Sequence, residues 1–211
     1  AFVSPVQRGQ QGNSYREVYE LTDNYLYNPN WGYQNGKKRN AKVVTAFDPT
    51  AVISHIWKID DTTTLTTGVG AHYARYGNTA LNWYNAPDPR PDYYRYLPSY
   101  FEDEDMQMQY RDLWRSGRPD FTQINWDNLY LANANNLRAG NGAAVYMVEE
   151  RRSDLLETSF NSTLNKQFNR HLGLTAGVGA RFTQSRQFKT VDDLLGSNYV
   201  LDIDKFAERD F

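Results

Sequence analysis

The chain has 211 residues, of which 40% are hydrophobic and 15% aromatic, and its 23 basic and 25 acidic side chains leave a net charge of −2. The aromatic content argues against a disordered chain, and the balanced charge gives no reason to expect nucleic acid as a partner. The sequence has no cysteine, which excludes disulfides, thiolate catalysis and cysteine-ligated zinc, and no run of 18 apolar residues, so no transmembrane helix is predicted.

Four stretches of the chain are predicted to be β-strands, separated by loops that are rich in Asn, Pro, Gly, Asp and Tyr. The strands lie at about 43–58, 63–77, 145–166 and 171–185, and the loops at about 1–42, 78–144 and 186–211. The residues that follow Ala1 also look like the end of a strand. Short turns near 59–62 and 167–170 close two hairpins, so the short connections lie at one end of the strands and the long ones at the other.

The second and fourth strands repeat one motif, LTTGVGAHY at residues 65–73 and LTAGVGARF at residues 174–182. Apolar residues alternate with small or polar ones, which is the period of a strand with one apolar face. The pattern is typical of a wall between lipid and a wet lumen, and equally of a soluble antiparallel sheet with one wet face. The small or polar face comprises Thr66, Gly68, Gly70 and His72 in one copy, and Thr175, Gly177, Gly179 and Arg181 in the other.

The uneven lengths of the connections favour an outer-membrane barrel, because such barrels have short periplasmic turns and longer extracellular loops. In the third strand Leu156, Thr158, Phe160, Ser162 and Leu164 share a face, whereas the faces of residues 52–58 cannot be assigned. Aromatic residues near both ends of the strands are predicted girdles at the membrane interfaces, or alternatively the filling of a soluble sandwich. They are Tyr73 and Phe182 near the long loops, and Trp57 and Phe168 near the turns.

The fold class predicted is all-β: antiparallel strands of a transmembrane β-barrel, about four strands of a larger barrel, with long extracellular loops that carry short helices. One loop helix is predicted at 103–115, where acidic residues come first and Arg111 and Arg115 come late. A second is predicted at about 122–133, with Asp120 or Thr122 as its cap. The residues predicted to face lipid are Leu65, Val69, Tyr73, Phe160, Leu164, Leu174, Val178 and Phe182.

No arrangement of residues predicts catalysis, a metal or a cofactor, so the chain is not expected to be an enzyme. The three histidines, His55, His72 and His171, lack ligand spacing, and the GVGA runs lie within strands instead of at a strand-to-helix turn. The acidic cluster at 102–105 coincides with a helix start, where acids are common. The aspartate pairs Asp88 with Asp92 and Asp202 with Asp204 lack the spacing of a calcium-binding EF-hand loop.

The segment LNWYNAPDPRPDYYRYLPSYF at residues 81–101 is the candidate binding loop. Its prolines stiffen the backbone and so lower the entropy cost of presenting the rings. Aromatic rings offer flat apolar faces to sugars or peptides, and arginines offer planar donors. The alternative is that the rings pack among themselves and order the loop. The hypothetical substrate-binding residues are Trp83, Arg90, Tyr93, Tyr94 and Arg95.

Three segments carry a resemblance to a known family. They read YNPNWGYQNG at 27–36, WYNAPDPRPDYYRYLP at 83–98 and YVLDIDKF at 199–206. These segments resemble the barrel of the large TonB-dependent receptors of Gram-negative bacteria, in particular those with an N-terminal carboxypeptidase-like regulatory domain. The resemblance implies a barrel of about 22 strands with a plug in its lumen. The chain is therefore expected to be an internal barrel fragment.

The resemblance implies a role in transport. The expected function is import of a nutrient (peptide, glycan or metal chelate) across the outer membrane, with the long loops extracellular. The expected partners are outer-membrane lipid, the receptor's own plug and TonB through residues not in this chain, and a surface lipoprotein lid; no nucleic acid and no cofactor is expected. Two alternatives stay open: a secreted soluble β-domain that binds glycan or peptide through its aromatic loops, and a passive barrel that recruits surface partners.

Overall fold

A computed structural model describes residues 2–3, 7–8, 16–204 and 209–210 of the chain. The chain divides into two compact units. The first comprises Ala1–Val6, Thr45–Gly77 and Arg151–Phe188, and the second comprises Gln7–Val44, Asn78–Glu150 and Lys189–Phe211. The first unit is built from strands, and the second contains all the helices that the structure describes.

The architecture is all-β, mostly antiparallel, with a few helices. Seven strands form one sheet: β1 (Phe2–Val3), β2 (Gln7–Arg8), β5 (Val43–Asp48), β6 (Thr50–Asp60), β7 (Thr63–Trp83), β8 (Tyr146–Gln167) and β9 (Gly173–Asp193). The order is β1-β5-β7-β8-β9, with β2 also paired to β5 and β6 paired to β7. Two small hairpins, β3 (Trp31–Gln34) with β4 (Lys37–Asn40) and β10 (Ile203–Asp204) with β11 (Arg209–Asp210), stand apart from this sheet. Within the described residues the sheet is open and forms no closed barrel.

The register of β6 on β7 assigns the faces of residues 52–58 that alternation alone left open. Val52 lies opposite Gly70, and Ile53 lies opposite Val69. Directly opposed residues of an antiparallel pair point to the same side of the sheet. Ile53 and Trp57 therefore share the apolar face of the repeat, whereas Val52 lies on its small and polar face.

Four α-helices are described: α1 (Arg16–Thr22), α2 (Glu104–Arg115), α3 (Pro119–Thr122) and α4 (Trp126–Arg138). Asp103 caps α2 as an N-cap should, accepting a hydrogen bond of 2.9 Å from the backbone N–H of Met106. The helix predicted at 122–133 with Asp120 or Thr122 as its cap is wrong in its start. Pro119 begins the separate short helix α3, and the Asn125 side chain caps α4 by accepting a 3.1 Å hydrogen bond from the backbone N–H of Asn128.

Two strands continue further than the sequence predicted, which shortens two of the predicted loops. β7 ends at Trp83 instead of residue 77, and β9 ends at Asp193 instead of residue 185. The predicted loop 1–42 is also wrong in part, because residues 7–8 pair with β5 and residues 31–40 form a hairpin. Residues 2–3 pair with β5 too, where the sequence indicated the end of a strand. Residues 1, 4–6, 9–15, 205–208 and 211 of the predicted loops lie outside the described residues.

Among its described residues, the second unit has two hydrophobic clusters. One buries Ala41, Ile124, Trp126, Leu129, Tyr146, Val148 and Leu195, with Trp83 packed at its side. The other buries Val18, Leu21, Tyr27, Leu97 and Trp114, with Phe121 at its side. Since both clusters draw on segments distant in sequence, they give the long connection between β7 and β8 an ordered core.

Candidate functional site

One face of the sheet in the first unit is lined by small and polar side chains that contact each other across the strands. Arg181 on β9 forms a 2.6 Å ion pair with Glu157 on β8. Thr175 donates a 2.8 Å hydrogen bond to Asn165. A Cβ placed on Gly70 would lie 2.7 Å from the Ser159 hydroxyl oxygen. The glycines of the repeat therefore leave room for polar side chains on the neighbouring strand.

The opposite face of the same strands is apolar and exposed. Of the eight residues predicted to face lipid, six are between 41% and 63% exposed: Val69, Tyr73, Phe160, Leu174, Val178 and Phe182. The other two, Leu65 and Leu164, are half-buried. Ile53 and Trp57 on β6 extend the same surface and are also exposed. A contiguous apolar surface of this kind marks an interaction surface, because folded soluble proteins rarely expose one.

The aromatic loop is ordered by ring contacts that run in a continuous series. Tyr93 contacts Tyr94 with ring centroids 4.7 Å apart, and Tyr94 contacts Tyr100 at 5.6 Å. Further contacts extend the series through Phe101, Tyr110, Phe121 and Trp114 to Tyr27. Mutual packing therefore accounts for much of this aromatic content, although Tyr94 keeps 46% of its surface exposed.

The five predicted substrate-binding residues form two groups. In the first, the Arg90 guanidinium lies 5.7 Å from the centre of the Trp83 ring and donates to both carboxylate oxygens of Asp88. In the second, Arg95 donates a 3.0 Å hydrogen bond to the Tyr94 hydroxyl, and Tyr93 packs against Tyr94. The two arginines are thus engaged by neighbours within the loop.

The aspartates of this region are in different electrostatic environments. The Asp88 side chain is only 7% exposed and is ion-paired with Arg90. Burial raises the pKa of the Asp92 carboxyl, against the lowering effect of the Arg90 charge. Elsewhere Asp202 forms a 3.1 Å ion pair with Lys189, and the Asp204 side chain lies outside the described residues. Among the described residues no group of three His, Cys, Asp or Glu side chains is placed to hold a metal ion.

The sequence did not predict a cleft that the structure forms in the second unit between α1 and α2. Its volume is about 620 Å³, and its polar lining comprises Arg16, Glu17, Glu20, Ser99, Arg111 and Arg115. The available signal was the spacing of Arg111 and Arg115, which are four residues apart and share one face of a helix.

Comparison with known proteins adds no family assignment, because no family model and no curated protein matches this chain. Among the described helices none is long and apolar enough to cross a membrane.

Proposed function

We propose that the chain is part of an outer-membrane TonB-dependent transporter that imports a nutrient, namely a peptide, a glycan or a metal chelate. The observation that carries the proposal is the two-faced sheet of the first unit, with an exposed apolar face and a small, polar reverse. The sequence resemblance to the barrels of TonB-dependent receptors supports the same assignment.

The dimensions of the apolar face suit a bilayer. The motif from Leu65 to Tyr73 has nine residues, and its eight steps of about 3.3 Å span about 26 Å along the strand. At a tilt of about 35–45° this length covers about 20 Å of the bilayer, which is most of the apolar band. Outer-membrane barrels have an apolar band about 25 Å tall, with strands tilted by about 35–45°. Full burial of a side chain such as Val178 or Phe182 contributes about 1.5–3 kcal/mol, so contact with lipid would stabilise the sheet substantially.

In this proposal each feature of the chain has a separate role. The apolar residues hold the barrel wall in lipid, and the small, polar face lines the lumen beside the plug. The long connections face the cell exterior, where Trp83, Arg90, Tyr93, Tyr94 and Arg95 contribute to substrate capture. Coupling to the plug and to TonB would use residues outside this chain.

The proposal is tested first by an immunoblot of native membranes with an antibody raised against residues 81–101. A heat-modifiable outer-membrane band several times heavier than the 24.5 kDa of this chain is expected. A soluble or secreted band near 24.5 kDa would instead refute the membrane assignment. It would then favour a soluble β-domain that binds glycan or peptide through its aromatic loop.

A matched pair of variants tests the faces of the sheet. Val69 and Gly68 are adjacent, point to opposite faces, and a Cβ on Gly68 would meet nothing within 4 Å. We expect Val69→Arg to destabilise the barrel by about 2–4 kcal/mol, because the charge would lie near the bilayer midplane. The heat-modifiable band should therefore weaken for Val69→Arg and persist for Gly68→Arg. Equal tolerance of both, or the reverse order, would contradict the assignment of the faces.

A further inference from the structure

The cleft between α1 and α2 carries positive charge that its own acidic residues do not neutralise. Glu20 forms a 2.6 Å ion pair with Arg16. Glu17 accepts hydrogen bonds from both the backbone N–H and the hydroxyl of Ser99. Arg111 and Arg115 also line the cleft, and neither side chain forms a hydrogen bond or ion pair with any residue that the structure describes.

We propose that this cleft binds the oxyanion group, a phosphate or a carboxylate, of a small-molecule ligand. Two guanidinium groups one helical turn apart repel each other when nothing lies between them. An anion placed between them removes that repulsion and receives hydrogen bonds from two planar, permanently charged forks. The site goes beyond the proposed transport function and does not depend on a membrane location.

The walls of the cleft are held in place before any ligand arrives. α1 packs against α2 through a cluster in which Val18 and Trp114 are 0% and 1% exposed. The Trp114 ring N–H donates a 3.0 Å hydrogen bond to the carbonyl of Tyr96. The contact of Glu17 with Ser99 connects α1 to the segment that precedes α2. Because these contacts already order the two helices that line the cleft, binding of a ligand would cost little conformational entropy.

The size and charge of the cleft limit the ligand class. Its volume of about 620 Å³ falls within the range of about 300–1,000 Å³ that is usual for small-molecule sites. Glu17 and Glu20 lie in the same lining, so a polyanion would meet repulsion from two carboxylates. The arrangement therefore fits a ligand with one oxyanion group and a neutral or cationic remainder.

The test is calorimetric titration of the chain at low ionic strength, with inorganic phosphate and the monocarboxylate propionate as separate probes. We expect saturable binding of at least one probe, weakened at least 10-fold in the double variant Arg111→Gln/Arg115→Gln. The double variant Arg111→Lys/Arg115→Lys should bind at intermediate strength, because it keeps the charge and loses the forked donors. Raising the ionic strength should weaken binding, since the arginines are exposed.

The matched control is Arg138→Gln, which removes an exposed arginine whose side chain donates a 3.2 Å hydrogen bond to the Asn135 side chain. The control should bind the probes as the unaltered chain does, and the thermal transitions of all variants should coincide. Preference for phosphate or for propionate would identify the oxyanion that the site takes. No saturable binding of either probe, or equal weakening by Arg138→Gln, would overturn the proposal and would leave the membrane assignment unaffected.

Discussion

Replacement of Asn133 is expected to disrupt the order of the second unit more than any exposed substitution. The side chain is fully buried and makes five hydrogen bonds to backbone. Its amide nitrogen donates to the carbonyls of Tyr146, Leu194 and Leu195 at 2.8, 3.1 and 3.1 Å. Its oxygen accepts from the N–H groups of Val145 and Tyr146 at 2.9 and 3.0 Å. One amide thus joins α4 to the start of β8 and to the residues after β9.

The magnitude follows from the groups that Asn133→Ala would leave without their present partners. Each buried donor left unsatisfied costs about 1–3 kcal/mol, and two backbone N–H groups lose their acceptor. We therefore expect the free energy of unfolding of the second unit to fall by about 4 kcal/mol. Asn133→Asp should be at least as harmful at neutral pH, because a carboxylate would face three carbonyl oxygens that now receive hydrogen bonds.

The assay is urea unfolding of the purified protein, combined with hydrogen exchange at the Val145 and Tyr146 amides. Asn135→Ala is the matched control, since Asn135 lies on the exposed side of the same helix and should change stability by less than about 0.5 kcal/mol. Faster exchange at both amides should accompany the loss of stability in Asn133→Ala. A change below about 1 kcal/mol, or one equal to that of the control, would refute the reasoning.

Three further changes test other parts of the structure. Asp92→Asn should raise the melting temperature at pH 7, because burial raises the folded-state pKa of this carboxyl and its ionised form opposes folding. This rise in melting temperature should vanish below about pH 4, where the carboxyl is protonated in the unfolded chain as well. Burial raises the pKa of Tyr146 to about 12. The contribution of Tyr146 to stability should therefore be complete below about pH 10 and should be lost as the pH rises towards 12. Tyr146→Phe should not show this loss in a pH series of thermal melts. Gly32→Ala would place a Cβ 1.8 Å from the Ile124 carbonyl oxygen and should destabilise by about 1–3 kcal/mol in urea unfolding, whereas Gly68→Ala should not.

The sequence predicts the faces of a strand only where apolar residues alternate strictly with small or polar ones. The repeat alternates cleanly, so the faces of its two copies follow from the period of two. Residues 52–58 have apolar residues at both parities, and only their register on β7 assigns them: Ile53 lies opposite Val69, and Val52 lies opposite Gly70. Register is set by the hydrophobic pattern of both strands and by the turn between them. Residues 52–58 lack a clean pattern, and the register shifts between Lys58 and Asp60, so their faces follow only from the observed pairing.

The ends of elements were the least predictable feature, because distant partners decide them. β7 continues through Gly77 and Asn78, which locally favour a turn. Neighbouring segments hold the backbone there. The Thr79 hydroxyl accepts a 2.8 Å hydrogen bond from the N–H of Val43, and the N–H of Tyr84 donates to the carbonyl of Val145 at 3.2 Å.

The position of the cleft arginines also depends on distant residues. The sequence indicates that Arg111 and Arg115 lie late in a helix, but their place beside a cleft depends on α1, about 90 residues earlier.

The two copies of the repeat are staggered in the first unit. Thr67 lies beside Ser162, with their hydroxyl oxygens 3.0 Å apart. A Cβ on Gly177 would lie 3.2 Å from the Thr163 hydroxyl, which places Val178 opposite Ser162. By the alignment of the motifs, however, the counterpart of Thr67 is Ala176. The second copy is thus displaced by two residues relative to the first.

The proposed membrane wall would account for a displacement of this size. If both motifs lie at one depth in a bilayer, strands tilted by about 40° must be displaced along their length as the wall is crossed. Two interstrand steps of about 4.8 Å amount to about 9.6 Å, and at this tilt the displacement is about 8 Å, or about 2.4 residues. Upright strands would need no displacement to hold the two motifs at one depth. The stagger therefore agrees with the proposed transporter wall, in which the repeated LTxGVGA motif would supply lipid-facing residues at one depth.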